Sequence, residues 1–96
     1  MTSIGKKVII RTLNAGCHFG TLTYKESTEV VLDDAIRLWE WAGAFTLSQL
    51  AMDGPKDPEG CKFAMPVDRI ILQYTEIIEC SDKAIEAIET VPPWKV

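Results

Sequence analysis

The run from Asp33 to Leu50, Asp-Asp-Ala-Ile-Arg-Leu-Trp-Glu-Trp-Ala-Gly-Ala-Phe-Thr-Leu-Ser-Gln-Leu, gathers two of the three tryptophans, a phenylalanine and an internal arginine. A segment this rich in large side chains has to be buried by the rest of the chain. Read as a helix from Ala35, it places Ala35, Leu38, Trp39 and Ala42 at spacings of three, four and seven on one apolar face, with Asp33 or Asp34 as the cap. Gly43 interrupts it. A second short helix from about Thr46 to Met52 follows, with Leu47, Leu50 and Ala51 on one face and Gly54-Pro55 as its end. Trp39 and Trp41 stand about 200° apart on such a helix, so only one of them enters a given core. The other lies flat on the domain, at a subunit interface or on a ligand wall.

The flanking segments read as sheet. Lys7 to Leu13 is short and β-branched, Cys17 to Tyr24 is its partner, and Asn14-Ala15-Gly16 between them is a hairpin loop in which Gly16 takes positive φ. Alternation sets Val8, Ile10 and Thr12 on one face and Ile9, Arg11 and Leu13 on the other. Glu29 to Leu32 supplies a third strand. Asp53 to Gly60, with two prolines and two glycines in eight residues, is a solvated connection or a lid. Val67 to Cys80 is long for one strand, and Gln73 to Glu76 is a bulge or corner that divides it. Ser81 caps a last helix with Ala84, Ile85 and Ile88 on its apolar stripe, and Trp94 packs on its own domain or on a neighbouring subunit. These elements predict one α+β domain over residues 1–96. Its antiparallel sheet has about five strands, a three-stranded N-terminal meander plus a C-terminal strand pair, with two or three short helices covering one face.

Composition narrows the function classes. No apolar run is long enough to span a bilayer, and Met1 to Lys7 lacks the apolar core of a signal peptide, so the expectation is a soluble, cytoplasmic protein. Cys17, Cys61 and Cys80 are odd in number and widely spaced, and there is one histidine; this predicts reduced, mostly buried thiols and neither a disulfide framework nor a metal site. Residues 1–25 carry four bases and no acid, whereas the remainder carries six bases and fourteen acids, giving +4 and −8. That total argues against duplex nucleic acid. The basic segment either pairs with the acidic remainder or meets a small anion.

No catalytic motif stands out. Cys17 and His18 are neighbours on a predicted strand and point to opposite faces, so they do not form a thiolate and its base. Asp33 and Asp34 are explained as a cap, and Gly5-Lys6-Lys7 lacks the glycine loop and hydroxyl of a phosphate-binding loop. A binding constellation remains. Arg11, His18 and Arg37 offer donors to a phosphate, Trp39, Trp41 and Phe45 offer stacking faces, and Asn14 to Gly16 offer backbone amides. The expected ligand residues are Arg11, Asn14, Gly16, His18, Phe19, Arg37, Trp39 and Trp41, with no cofactor.

The residues Arg11-Thr12-Leu13-Asn14-Ala15-Gly16-Cys17-His18-Phe19-Gly20-Thr21-Leu22, the Glu29 to Leu32 strand, Ile36 to Ala44 with Thr46-Leu47, and Ile70 to Leu72 with Glu76 to Ile78 resemble a family of small uncharacterised proteins of tailed phages and prophages. The resemblance covers nearly the whole chain and implies a phage setting without an assigned reaction. By analogy with compact phage proteins that form symmetric oligomers and trap nucleotide-derived immune signals, it implies a non-enzymatic, homo-oligomeric anti-defence sponge. The alternative is a protein–protein inhibitor of a host enzyme.

Overall fold

The computed structural model describes residues 3–94 of the 96-residue chain. Six strands, β1 (Lys7–Arg11), β2 (Cys17–Lys25), β3 (Glu29–Glu40), β4 (Lys62–Phe63), β5 (Val67–Gln73) and β6 (Glu76–Glu79), form one antiparallel sheet. Two helices, α1 (Leu47–Asp53) and α2 (Asp82–Glu89), complete an α+β fold. The extra strand relative to expectation is the two-residue β4. Among the described residues no helix is long and apolar enough to cross a membrane.

β1 and β2 form the expected hairpin. Gly16 sits at φ +78°, and the Thr12 hydroxyl donates to the Gly16 carbonyl (2.8 Å) while accepting from the Ala15 amide (2.8 Å). The side-chain bonds close the turn where the backbone ladder stops.

The connection between β5 and β6 fixes the shape of the sheet. β5 pairs with β3, β6 pairs with β1, and β2 lies between β3 and β1. In a flat sheet β5 and β6 would stand roughly 19 Å apart. Only Tyr74 and Thr75 separate them, and the step from Gln73 to Glu76 reaches at most about 11 Å. The sheet therefore curls until one bent strand joins its two edges. The Tyr74 amide donates to the Thr28 carbonyl (3.1 Å) and the Thr75 amide to the Arg11 carbonyl (2.8 Å), which fastens the corner to both sides. This is the division expected at Gln73 to Glu76.

Curling gives the sheet an apolar layer on each face. The concave face encloses Val8, Ile10, Leu22, Val30, Leu32, Ala35 and Leu72. On the convex face Ile9, Phe19, Leu38 and Phe63 pack under Leu50 and Ala51 of α1 and Ile88 of α2. Val8, Ile9 and Ile10 are consecutive and all fully buried, as a strand covered on both sides requires. Each such side chain contributes roughly 1.5–3 kcal/mol of burial. The helices cover one face as expected, and the sheet closes on the other by itself.

The stretch predicted as a helix from Ala35 to Ala42 is not helical: Ala35 to Glu40 is the second half of β3, and Trp41 and Ala42 follow its end. Asp33 and Asp34 cap nothing. Asp33 accepts a two-pronged pair from Arg69 (2.7 and 3.2 Å), whose guanidinium holds the Asp33 carboxyl below its usual range. Asp34 has φ +51°. The register runs from Phe19↔Ile36 to Thr21↔Asp33, so Gly20 of β2 opposes two residues of β3 and a bulge results. A Cβ on Gly20 would stand 3.0 Å from the Asp33 carbonyl oxygen, a contact tight enough that the backbone would have to give way, so glycine suits the bulge. The bulge also shifts the parity of β3. Val30 and Leu32 face the concave side before it, and Ala35 does so after it. The spacings of three and four arose because this half of β3 carries apolar residues on both faces, Leu38 on the convex side and Ala35 and Trp39 on the other.

The other expected elements are present. Thr46 caps α1 by accepting from the Gln49 amide (3.0 Å), Gly54 follows its end, and Ser81 caps α2 by accepting from the Ala84 amide (3.0 Å). β4 and β5 lie along the same edge of β3, paired through Leu38↔Phe63 and Glu40↔Lys62 on one side and Ala35↔Val67 on the other side of the break at Ala64 to Pro66, with a one-residue register shift between Leu38 and Glu40. The Ala64 amide still donates to the Arg37 carbonyl (2.9 Å).

Candidate functional site

The parity shift at Asp34 carries Arg37 and Trp39 onto the side of β3 that Ala35 occupies. His18 of β2 is the cross-strand partner of Arg37, and residues directly opposed in a ladder share a face. His18, Arg37 and Trp39 thus meet. With Ala35, Ala64, Met65, Val67 and Ile70 they line a pocket of about 200 Å³. Its walls are otherwise apolar, and they come from three strands and the break between β4 and β5.

His18 is 1% exposed, and its Nε2 lies 2.8 Å from the Ala15 carbonyl oxygen. A carbonyl only accepts, so Nε2 carries the hydrogen and Nδ1 keeps its lone pair. Among the described residues no buried side-chain nitrogen or oxygen lacks a partner. Nδ1 has no hydrogen-bond partner among the described residues, so it is the part of the ring that reaches the pocket. Burial holds His18 below the ordinary histidine pKa, the bond to Ala15 pulls upward, and the Arg37 charge pushes further down. Between the folded and unfolded pKa values the unfolded chain binds more protons. The resulting stability is complete above about 6.5 and is lost as the pH falls below it. Scanning calorimetry from about pH 7 to pH 5 should show a falling melting temperature, and His18→Gln should flatten that slope.

Arg37 differs from the other arginines. Arg11 pairs with Glu76 (3.0 Å) and Arg69 with Asp33, whereas among the described residues the Arg37 side chain has no ion-pair partner. Trp39 is 57% exposed and stacks at a tilt on Trp94, with ring centroids 5.6 Å apart. Lys62 lies over the Trp94 ring at 5.2 Å. Trp94 therefore packs on its own domain.

The remaining expected ligand residues are dispersed. Arg11 opposes Cys17, which opposes Leu38, so it shares their convex face, away from His18. Phe19 is 1% exposed in the convex-side core and does not face the pocket. Trp41, just past the end of β3, is half-buried against the same core. Asn14 lines a separate hollow between the hairpin turn and Ile71 to Gln73. Gly16 lines an open hollow of about 410 Å³ with Ala15, Leu38 and Glu40, and this hollow shares Arg37 and Trp39 with the pocket. Sequence reasoning missed Ala64, Met65, Val67 and Ile70. Pro66 was the available signal, because a proline beside a β-rich run breaks an edge strand and leaves a gap.

The basic N-terminal segment is largely spoken for. Lys6 pairs with Glu79 (3.3 Å), Lys7 with Glu89 and Arg11 with Glu76. This is the internal pairing with the acidic remainder. Each pair is exposed and contributes little alone. Among the thiols, burial raises Cys17 and Cys61 and pushes Cys80 up to about 12, so neutral pH leaves few thiolates. Among the described residues no three His, Cys, Asp or Glu side chains are grouped to hold a metal.

A curled antiparallel sheet with helices on its convex face and one ring-sized pocket at a strand break defines a small α+β domain. The family model for a domain of unknown function (DUF6948) matches residues 5–88, which include every residue lining the pocket, and the chain belongs to that family. No curated protein and no solved structure matches it.

Proposed function

We propose that this is a non-enzymatic phage or prophage protein that binds and sequesters a nucleotide-derived signal of host defence, of the cyclic oligonucleotide or cyclic ADP-ribose type, in the host cytoplasm. One observation carries the reading: the unpaired Arg37 guanidinium and the exposed Trp39 indole flank one apolar pocket opposite His18. A flat ring stacks on the indole and its charge meets the guanidinium. The resemblance to tailed-phage proteins supplies the setting. At about 200 Å³ the pocket is below the roughly 300–1,000 Å³ usual for a whole small-molecule ligand, which supports a homo-oligomer whose copies share a larger ligand. Inhibition of a host enzyme remains the second reading, favoured by Met65, Val67 and Ile71, which are 62%, 48% and 63% exposed along one edge.

Native mass spectrometry with a panel of cyclic oligonucleotides and cyclic ADP-ribose isomers tests the first reading. The expected result is a defined oligomer that gains one discrete ligand mass. Arg37→Ala and Trp39→Ala should each weaken that binding about tenfold or more, with the melting temperature within a few degrees of the parent. A bare monomer that retains nothing overturns the proposal and favours the inhibitor reading.

A further inference from the structure

The pocket and the open hollow beside it share Arg37 and Trp39, and their other walls differ in kind. The inner pocket adds His18, Ala35, Ala64, Met65, Val67 and Ile70. The outer hollow adds the Ala15-Gly16 turn, Leu38 and Glu40, whose carboxylate pairs with Lys62 at 3.8 Å. A ligand spanning both meets an apolar slot first, then one cation, then one paired anion.

We infer that each copy of this site takes one ring with one negative charge, a single phosphodiester unit of a cyclic nucleotide that the copies share, with the ring in the inner pocket and the phosphodiester at Arg37. The inference rests on the functional reading above and names its ligand class. Placing phosphate in the inner pocket would strip a charge of water among alanine, methionine, valine and isoleucine, so the ring goes there. The charge then falls at the junction of the two hollows, where Arg37 stands. Neutral His18 adds no cation, because its Nε2 hydrogen is held by the Ala15 carbonyl and its Nδ1 offers a lone pair. Lys62 lines neither hollow and pairs with Glu40 at 3.8 Å. One unpaired cation matches one phosphodiester. A further phosphate would extend into the outer hollow, where Glu40 holds Lys62 and no unpaired cation receives it.

Isothermal titration of the full chain at fixed ionic strength, with the 3′,5′-cyclic monophosphates, 5′-monophosphates and 5′-triphosphates of adenosine and guanosine, tests this. For at least one base the affinity should fall from cyclic to 5′-monophosphate to triphosphate, by about tenfold or more overall. Glu40→Gln should raise triphosphate affinity and leave the cyclic form nearly unchanged, closing most of that gap. A triphosphate bound tightest, or a gap that Glu40→Gln leaves intact, overturns the single-charge inference and leaves the functional reading standing. Failure of all six probes to bind overturns the inference, and the functional reading then stands or falls on the cyclic oligonucleotide and cyclic ADP-ribose panel.

Discussion

Replacing Phe19 by alanine is expected to cost about 3–5 kcal/mol of stability, a large share of what a domain this size possesses. Chemical denaturation measures the loss, and the melting temperature should fall by roughly 15–30 °C. Phe19 is 1% exposed, opposes Ile9 on one side and Ile36 on the other, and lies in the layer that Leu50 and Ile88 cover. Hydrogen-bonded strands flank it on both sides, so the cavity has little means of collapsing. The experiment also decides the role of this residue, which sequence reasoning grouped with the ligand contacts. A small loss of stability together with a large loss of ligand affinity would place it on the ligand wall instead.

Gly54→Ala should be nearly as damaging, at about 3 kcal/mol, for two separable reasons. Gly54 follows the end of α1 at φ +75° and ψ 176°, a region that side chains disfavour. It also lies so close to α2 that an added Cβ would stand 2.6 Å from the Ala87 Cβ. Urea unfolding of Gly54→Ala, Ala87→Gly and the double variant separates the two causes. The double variant should recover the part due to the clash and keep the part due to φ. Full recovery would mean that the backbone angle costs nothing.

Local signals carried much of the fold. The Asn14-Ala15-Gly16 turn, the short helix after Thr46, the Ser81 cap and the corner near Thr75 each depend on residues within a few positions, so they could be read directly. β3 could not, because past Asp34 it carries apolar residues on both faces, and Ala35, Leu38 and Trp39 then imitate one face of a helix. The curl of the sheet was hidden as well, since it follows from which edges β5 and β6 choose. His18, Arg37 and Trp39 were recognised as residue types, but their meeting depends on the β2–β3 register. The separation of Arg11 from His18 was within reach. The hairpin loop length sets Arg11 opposite Cys17, and alternation then sends His18 to the other face.

The pairing of the first strand with the last third of the chain bears on how the domain forms. Lys6, Lys7 and Arg11 find their counter-charges on Glu79, Glu89 and Glu76, and the free edge of β1 finds its ladder partner only in β6. A growing chain emerging from the ribosome holds β1 to β3 long before it holds β6. Until then an apolar strand edge stands open beside uncompensated positive charge. The domain therefore completes its folding after residue 79 is released, and chains cut short in the second half aggregate through that edge instead of surviving as smaller folded units.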